Sequence, residues 1–454
     1  MKNRGKSISA REASYLILLA FESIQYRLND LIAREFSSRV YPDRDKKMIV
    51  TLTHGVVKNL ILLDWRLGNL YHGDWRKARN KVKVILRLAS YEADFLDFIP
   101  PHATINEYVD LAKRQLEPGS GNLINGVMRN YLRQRKQLDP RKKFKYADKR
   151  LEIGYSVPAW LVRRWIKIWG ANDTEQMCAA FNARPVFDLK INRSVIGKEA
   201  FEQILVENGI GFSGSSYFSD IVKVTDIQKI RNLRLFRDGY CIVQDESARL
   251  AVEMLDLQPN DRVLDTCTAP GGKLSVIRQL RSDLLPVIGM DVDEKRISAA
   301  INTCRTEGGV KCSLVVGDGR IPPFKGEFDK ILVDAPCTGF GTLQKNPDIK
   351  WRRKPEDIPA FQKLQLDILK GVCELLTEDG VIVYSTCTIE PEENEGVIAR
   401  FLEEQGGRFK TTGPPAFLEQ FETGGGAIRT FPHRHQMDGA FAVRLMWSGF
   451  ARTR

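Results

Sequence analysis

Two cysteine residues in this sequence follow apolar runs that have the composition of buried strands. Cys337 follows "KILVDAP", and Cys387 follows "VIVYST" fifty residues further along the chain. The carboxyl ends of parallel strands meet at one edge of a sheet, where ligands bind. A thiolate at such an edge can act as a nucleophile, whereas a thiol inside a core is usually inert. The two thiols therefore predict covalent chemistry on an electrophilic carbon, with a pair of inert core cysteines as the alternative.

Carboxylates at the ends of neighbouring apolar runs form a second group of candidate residues. Asp265 ends the first run, in "VLDTCTAPGGK", and Asp291 and Asp318 end the next two. The pair Gly271-Gly272 lets a ligand approach the backbone closely, but the segment matches neither the G-x-G-x-x-G fingerprint nor a Walker A loop. Acids without a phosphate loop suit a nucleoside that carries no phosphate, and S-adenosylmethionine is the common cofactor of that kind. Asp291 would bind two ribose hydroxyls and Asp318 an exocyclic amine, although each acid alone could be a strand-end cap.

The thiols and a nearby acid would together suit methylation of a pyrimidine. Carbon 5 of cytosine becomes nucleophilic once a thiolate adds to carbon 6, and it can then take a methyl group from a sulfonium. Asp334, three residues before Cys337, is placed to protonate or hydrogen-bond N3 and so to aid the addition. One thiol would attack and the other would assist release. The residue types and their spacing leave open which of Cys337 and Cys387 attacks.

The net charge of +12 is concentrated in the N-terminal third of the chain. Residues 1–150 contain 30 Lys and Arg against 16 Asp and Glu, a balance of +14, and the other 304 residues contain 39 against 41, a balance of −2. The densest basic run is residues 133–150. A basic run is either a solvated linker or a contact surface for nucleic-acid phosphate. The candidate chemistry on a pyrimidine favours the second interpretation.

The elements that must position these residues divide the chain into three predicted domains. Residues 1–145 have helical periodicity, with Ser9 as the first N-cap, and predict an all-α domain. Residues 146–235 mix strand and helix patterns and predict a small α+β module. Residues 236–454 alternate short buried strands with helices, which predicts a doubly wound, Rossmann-like parallel sheet. Near its end, Asp438-Gly439 predicts a turn that leads into an edge strand.

Cysteine and histidine spacing predicts no metal site, and hydropathy predicts no membrane span. No two of the eight cysteines are spaced C-x-x-C, and His433 and His435 lack a third ligand nearby in the sequence, so we interpret them as RNA-facing or surface residues. No apolar run reaches 18 residues. The first apolar stretch contains Glu12 and ends at Glu22, which predicts a retained amphipathic helix and not a signal peptide. Scattered thiols fit a reducing cytoplasm.

Four motifs make the catalytic half resemble the RNA cytosine-5 methyltransferases along its whole length. They are "VLDTCTAPGGK", "DAPCTGFG", "YSTCTIEPEENE" and the ending "RTFPHRHQMDGAFAVRL". The N-terminal half is similar to the RNA-binding NusB fold, notably in "INGVMRNYLR". This combination, together with "NPDIKWRR", resembles the bacterial Sun/Fmu/RsmB subfamily, which methylates a cytosine of 16S rRNA. The resemblance implies S-adenosylmethionine as the cofactor and 16S rRNA as the partner, with neither DNA nor a membrane as a partner.

The resemblance also implies a role for each matched residue. Cys387 would be the nucleophile and Cys337 would promote release, which reverses the order found in DNA cytosine methyltransferases. The residues implied to hold S-adenosylmethionine are Cys267, Thr268, Ala269, Pro270, Gly271, Gly272, Lys273, Asp291, Asp318 and Asp334. The sequence departs from the family pattern at Thr268, where the family generally has Ala, and at Leu274, where it often has Thr. These departures concern only the detail of the loop.

Two rival functions remain to be weighed against methyl transfer. The first is a non-catalytic RNA-binding factor for ribosome assembly or antitermination that retains an inactive Rossmann-like half. The intact pair Cys337 and Cys387 disfavours it, because a relic would be expected to have lost such residues. The second is an oxidoreductase on a doubly wound sheet, which the missing dinucleotide fingerprint disfavours.

Overall fold

The protein, described here from a computed structural model, contains two compact units. The described residues are 8–23, 25–281, 283–284, 286–306 and 312–449. The first unit comprises the described residues of Met1–Ala183 and Asn346–Pro355, and the second comprises those of Arg184–Lys345 and Glu356–Arg454. The segment Asn346–Pro355 therefore belongs to the first unit, although the chain on both sides of it belongs to the second. The predicted division of the chain at residues 145 and 235 stays a prediction.

The first unit is built from helices, numbered here along the whole chain. They are α1 (Ala10–Phe21), α2 (Leu28–Ser38), α3 (Asp43–Lys58), α4 (Leu60–Gly68), α5 (Asn80–Phe95), α6 (Pro101–Gln115), α7 (Ser120–Gln134), α8 (Pro140–Lys143), α9 (Ala147–Gly154), α10 (Ala159–Trp169), α11 (Ala171–Asn182) and the short α17 (Ile349–Arg352). Ser9 caps α1 as predicted, since its Oγ accepts a hydrogen bond from the Glu12 amide at 3.2 Å. Apolar faces of α1, α3, α5, α6 and α7 form the core.

The inserted segment is bound to the end of α3. Trp351 packs against the helical core, and its Nε1 donates a hydrogen bond to the Val57 carbonyl at 2.9 Å. Lys350 is buried, and its Nζ donates to the Lys58 carbonyl at 2.9 Å. Two side chains of the segment thus satisfy carbonyls at a helix C-terminus, which otherwise lack partners.

Among the described helices, one bent pair passes a test of length and composition for a membrane span. No single helix among the described residues is long and apolar enough to cross a membrane. Asp43–Lys58 and Leu60–Gly68 pass the test of length and composition together, with a bend of 72° between them.

The second unit begins with a small antiparallel sheet. Within the described residues, four strands pair in the order β2-β3-β1-β4. They are β1 (Phe187–Ile191), β2 (Phe212–Gly214), β3 (Ile221–Val224) and β4 (Cys241–Val243), with helices α12 (Lys198–Glu207) and α13 (Ile227–Asn232) between them. The buried faces of these elements form a small core of their own, as the predicted α+β module requires.

The rest of the second unit is a larger sheet with helices. Its described strands pair in the order β11-β12-β13-β9-β8-β5-β6-β7, and β10 pairs with β13. The strands are β5 (Val263–Asp265), β6 (Val287–Asp291), β7 (Ser313–Val316), β8 (Phe328–Asp334), β9 (Leu376–Thr386), β10 (Phe409–Thr412), β11 (Glu422–Gly424), β12 (Ala427–Thr430) and β13 (Ala440–Trp447). The helices are α14 (Glu246–Glu253), α15 (Gly272–Leu280), α16 (Glu294–Thr306), α18 (Asp357–Cys373), α19 (Glu395–Glu404) and α20 (Pro432–His435).

Strand order confirms the predicted doubly wound sheet and places its switch point. β5 to β9 are all parallel, and the chain runs outwards from β5 through β6 and β7 before it returns to β8 on the other side of β5. The crevice at this reversal is where open sheets of this kind bind ligands. The turn at Asp438-Gly439 leads into β13, which was predicted to be an edge strand, but this prediction is wrong. β13 is an interior strand, because β9 pairs with one side of it and β12 and β10 with the other.

Candidate active site

The two predicted thiols lie at the carboxyl ends of adjacent parallel strands. β8 and β9 pair with Asp334 opposite Ser385, so both chains leave the sheet at the same level. Cys387 directly follows β9, and Cys337 lies three residues beyond β8. Neither forms a disulfide, and their sulfur atoms are 3.2 Å apart. The fold therefore brings into contact two cysteines that are fifty residues apart in the sequence.

Asp334, the last residue of β8, is held by two side chains that face the same cleft. Its Oδ1 accepts a hydrogen bond from Ser385 Oγ at 2.9 Å, and its Oδ2 accepts one from Lys273 Nζ at 2.7 Å. Burial alone would lower the pKa of Lys273, but the Asp334 carboxylate more than offsets this, and the pKa is raised. The electrostatic influence of Cys387 on Lys273 acts in the same direction.

These polar groups share one cleft with apolar walls. Asp334, Lys273, Ser385 and Cys387 line it together with residues of α14, β12 and β13, and its empty volume is about 360 Å³. A few polar groups on a mostly apolar wall can bind and orient a planar heterocycle.

The predicted cofactor loop joins β5 to α15. Gly271 has a φ of +96°, and a Cβ atom there would lie 3.1 Å from Ala300 Cα, so both the backbone conformation and the packing favour glycine. Asp265 is buried, and its Oδ2 accepts a hydrogen bond from Thr268 Oγ1 at 2.7 Å. Its Oδ1 is buried without a hydrogen-bond partner among the described residues. Burial raises the pKa of Asp265 to about 7. An orphaned acceptor beside a close-approach glycine fits a bound ligand that donates a hydrogen bond.

The remaining residues of the loop have structural contacts. Burial raises the pKa of Cys267 well above the usual value of a thiol, which makes it a poor nucleophile. The Ala269 amide donates to Asp291 Oδ2 at 3.2 Å, and the Pro270 carbonyl accepts from Thr303 Oγ1 at 2.8 Å. Gly272 is the first residue of α15. The loop is therefore anchored on the strand end that carries Asp291.

The other two predicted acids differ in exposure. Asp291, at the end of β6, is 2% exposed. Besides Ala269, it accepts hydrogen bonds from the Asp293 amide at 3.1 Å and from Arg296 Nη1 at 3.3 Å. Asp318 lies two residues beyond β7 and is paired with Arg320 at 2.6 Å, which lowers the pKa of its carboxyl. Asp291 ends β6, which is next to β5, and Asp318 lies just beyond β7 on the far side of β6. Both acids already have partners in the protein.

Sequence reasoning missed a group of polar residues behind the thiols. Thr338 and Thr388 each follow one of the two cysteines, and their hydroxyl oxygens are 2.7 Å apart. Both hydroxyls are buried together with Glu393. The dipeptide Cys-Thr occurs at 267–268, 337–338 and 387–388, and in each case the threonine hydroxyl makes a buried hydrogen bond. The repeated Cys-Thr dipeptide was the sequence signal that could have identified these residues.

His433 and His435 lie on α20. His435 Nδ1 accepts a hydrogen bond from the Phe431 amide at 2.9 Å, and burial lowers the pKa of His435. These contacts give His435 a structural role in the turn before β13.

Comparison with known families divides the chain into three matched regions. Residues 252–446 match the family of 16S rRNA methyltransferase RsmB/F. Residues 8–133 match the NusB family, and residues 157–231 match the ferredoxin-like domain of RsmF/B-like methyltransferases.

Curated proteins and solved structures extend this similarity to nearly the whole chain. The probable ribosomal RNA small subunit methyltransferase B of Synechocystis sp. is 31% identical over 452 residues, which cover 96% of this chain and 99% of that protein. The ribosomal RNA small subunit methyltransferase B of Escherichia coli O127:H6 is 34% identical over 365 residues, which cover 80% of this chain and 82% of that protein. The crystal structure of PH0851 aligns with a TM-score of 0.80 at 26% identity and covers 97% of this chain and 99% of that one.

Proposed function

Since the chain belongs to the ribosomal RNA small subunit methyltransferase B family, we propose that it methylates carbon 5 of a cytosine in 16S rRNA through a covalent adduct with Cys387. It is an S-adenosylmethionine-dependent methyltransferase that acts on rRNA. Family membership alone does not establish 16S rRNA as the substrate, carbon 5 of cytosine as the target or a covalent mechanism. Each of these follows from the chemistry of the cleft or from the names of the relatives.

One observation supports the covalent mechanism above all. The sulfur atoms of Cys337 and Cys387 are 3.2 Å apart, neither cysteine forms a disulfide, and Cys387 lines a cleft together with Asp334 and Lys273. Carbon 5 of cytosine has too little electron density to take a methyl group unless a nucleophile first adds to carbon 6. A cleft that is lined by both a nucleophilic thiol and an acid meets this requirement.

The side chains of the cleft can perform the steps as follows. The Cys387 sulfur forms a bond to carbon 6, and the electron pair of the C5–C6 double bond moves towards carbon 5. Asp334 acts as an acid that protonates N3 of the ring or donates a hydrogen bond to it, and Lys273 holds the Asp334 side chain in place. S-adenosylmethionine supplies an electrophilic methyl group on its sulfonium. The proton on carbon 5 then leaves to water, the bond between carbon 6 and Cys387 breaks, and the double bond forms again. Cys337 promotes this release.

The residues proposed to hold the cofactor surround the switch point of the sheet. The orphaned Oδ1 of Asp265 and the glycine loop at Gly271 fit a ligand beside β5. Asp291 and Asp318 would bind the ribose and the adenine, since they lie near the ends of β6 and β7.

The basic surface of the first unit would bind the rRNA. Lysines between residues 136 and 145 are exposed, and the excess of positive charge lies in residues 1–150. Contacts of this kind position a nucleic acid through its phosphates. The match of residues 8–133 to the NusB family is consistent with this role.

Trapping of the adduct tests the mechanism and the order of the thiols. Cys387→Ala cannot form the adduct and should be inactive without a conjugate. Cys337→Ala should attack and methylate but fail to release, so that a methylated protein–RNA conjugate survives denaturing electrophoresis. The readout is the label from tritiated S-adenosylmethionine on the protein–RNA band, with deproteinised rRNA as the substrate.

Cys373→Ala is the matched control, because Cys373 is a core thiol at the end of α18. It should release methylated RNA normally. A conjugate from Cys387→Ala in place of Cys337→Ala would reverse the roles. Conjugates from neither variant, with no label on the RNA from the unsubstituted protein, would favour a non-catalytic RNA-binding factor.

A further inference from the structure

A buried carboxylate lies behind the loop that carries Cys337. Glu393 is fully buried, with 0% exposure. Its Oε2 accepts hydrogen bonds from the Thr338 amide and from Gln365 Nε2, each at 2.9 Å, and its Oε1 accepts one from Thr338 Oγ1. Its partners among the described residues are thus an amide, a hydroxyl and a carboxamide. Hydrogen bonds, and not a cation, therefore stabilise its negative charge.

The same cluster ties together the loops of the two thiols. Thr338 Oγ1 lies 2.7 Å from Thr388 Oγ1, and the Gly341 amide donates to the Cys387 carbonyl at 3.1 Å. Because each threonine directly follows a cysteine, the contact between the hydroxyls lies next to the contact between the sulfurs. Glu393 belongs to the segment after Cys387, and its side chain accepts hydrogen bonds from Thr338 of the Cys337 loop and from Gln365.

The two sulfurs therefore face different charges. Cys387 and the negatively charged Glu393 both raise the pKa of Cys337. Tyr384 is also an electrostatic neighbour of Cys337, and its hydroxyl donates to the Glu393 carbonyl at 2.6 Å. Glu393 itself is influenced by a further acid, Glu390. Cys387 shares its cleft with the Lys273 amine. Cys337 thus has a buried carboxylate as its neighbour, whereas Cys387 shares its cleft with the ion pair of Lys273 and Asp334, so the two thiols are electrostatically inequivalent.

We propose that Glu393 is the positioning residue that distinguishes the two thiols. Its carboxylate fixes the Cys337 loop and keeps Cys337 a neutral thiol, so that Cys337 donates a hydrogen bond to the sulfur of Cys387 and does not compete with it as a nucleophile. This role rests on the proposed function, because it specifies how Cys337 promotes release.

Charge and burial act together on Cys337. The hydrogen bond with Cys387, burial, and the negative charges of Cys387 and Glu393 raise the pKa of Cys337 well above that of an ordinary thiol. A nearby negative charge disfavours ionisation of an acid, and so does desolvation. Burial also raises the pKa of Glu393 to about 7. The carboxylate therefore exerts its full effect only above neutral pH.

Cys337, as a neutral thiol whose sulfur lies 3.2 Å from that of Cys387, can promote release of the product while it keeps its own proton. When the bond between carbon 6 and Cys387 breaks, its electron pair returns to the Cys387 sulfur. The S–H group of Cys337 can then donate a hydrogen bond to the new thiolate and stabilise it as a leaving group. The proton stays on Cys337 throughout, and the thiolate of Cys387 is ready for the next cycle.

The test measures the ionisation of Cys337 directly in the full chain. In a Cys387→Ala background, the rate of alkylation of Cys337 by iodoacetamide is followed against pH by peptide mass spectrometry. Glu393→Gln preserves the size of the side chain. The oxygen of its amide can still accept a hydrogen bond from the Thr338 amide, and its NH2 group can donate one to Thr338 Oγ1. We expect Glu393→Gln to lower the pH midpoint of Cys337 alkylation by about one unit, since only the charge of the side chain is lost. Glu393→Asp retains the charge and should leave the midpoint high.

Controls separate the electrostatic effect from a loss of structure. Glu392→Gln makes the same change one residue away and should leave the Cys337 midpoint unaltered. An unchanged Cys337 midpoint in Glu393→Gln, or an equal fall in Glu393→Asp, would overturn the inference.

The outcomes also distinguish this inference from the proposed function. Conjugate formation by Cys337→Ala together with an unmoved midpoint in Glu393→Gln would leave the covalent mechanism intact and reject the role of Glu393. A lowered midpoint without any conjugate would support the electrostatic role and count against the covalent mechanism.

Discussion

Asp291, which is predicted to bind the cofactor, already accepts several hydrogen bonds from the protein itself. Its two oxygens accept hydrogen bonds from the Ala269 and Asp293 amides and from Arg296. A carboxylate offers about four acceptor positions, so a ligand hydroxyl must use the remaining position or displace Arg296. The side chain of Arg296 is 52% exposed, which makes its displacement feasible.

Loss of Asp291 should therefore weaken both the cofactor contact and the loop that it anchors. We expect Asp291→Ala to cost roughly 1.5–3 kcal/mol of cofactor binding, which calorimetry would record as a loss of tenfold or more. Asp283→Ala removes an exposed acid of the same unit and serves as the control. A dissociation constant for S-adenosylmethionine that stays the same in Asp291→Ala would place the ribose contact elsewhere.

Between elements, a buried group of charges fixes the turn before β13 next to the thiol loops. Lys345 Nζ pairs with Asp438 Oδ2 at 3.1 Å and with Asp245. Beside Asp438, the Gly439 amide donates to the Gly341 carbonyl at 2.9 Å. The loop that carries Cys337 is thus braced by the turn, and the turn is held by Lys345. Burial raises the pKa of Asp438 to about 7.

Removal of that cation should destabilise the second unit in a pH-dependent way. Lys345→Met leaves two buried carboxylates without their counter-charge, an effect that typically costs about 3–5 kcal/mol. Because the raised folded-state pKa of Asp438 rises further, the variant should lose most stability as the pH increases through 7 and least in acid. The check is Tm against pH. Lys363→Met, on the exposed face of α18, should change Tm little, and a pH-independent deficit in Lys345→Met would contradict this account.

Local patterns predicted the strand ends of the second unit, but not which partners they meet. Runs such as "KILVDAP" specify a buried strand because their side chains are apolar and β-branched. Asp265 and Asp291 fall at the ends of β5 and β6 as predicted, whereas Asp318 lies two residues beyond the end of β7. The contact of Asp334 with Ser385 depends on the register of β8 against β9, which involves residues about fifty positions apart. Glu393 was missed for the same reason, since its partners lie 55 and 28 residues away in the chain.

The interior position of β13 was also outside the reach of a local pattern. The sequence gives a turn and an apolar run, and such a run suits an edge strand or a central one. Its neighbours β10, β12 and β9 are separate segments, and only the packed sheet assigns them. The segment Asn346–Pro355 belongs to the first unit, where Trp351 packs against the helical core, and no local pattern in the sequence indicates this partner.

For the whole molecule, the uneven charge predicts how RNA binding should respond to salt. Each phosphate contact releases counterions, and the slope of log K against log salt changes by about 0.7–0.9 for each contact. A variant with four exposed lysines replaced by glutamine should bind rRNA more weakly and with a shallower slope. The four are Lys136, Lys142, Lys143 and Lys145.

The matching control neutralises four exposed lysines of the second unit. They are Lys325, Lys363, Lys370 and Lys410. Filter binding over a salt series measures both variants, and calorimetry with S-adenosylmethionine should give the same constant for each. Equal slopes for the two variants would show that the basic run does not contact the rRNA.

The segment Asn346–Pro355 has a consequence for how such a protein can be assembled by gene fusion. The chain passes from one unit to the other at residues 183–184, 345–346 and 355–356, so no single cut separates the two units. A fragment that begins at residue 184 would retain Trp351 and Lys350 but would lack the carbonyls of Val57 and Lys58 that accept their hydrogen bonds. A helical domain joined to the front of a methyltransferase would therefore be incomplete without this ten-residue insert, which must be exchanged together with it in any working chimera.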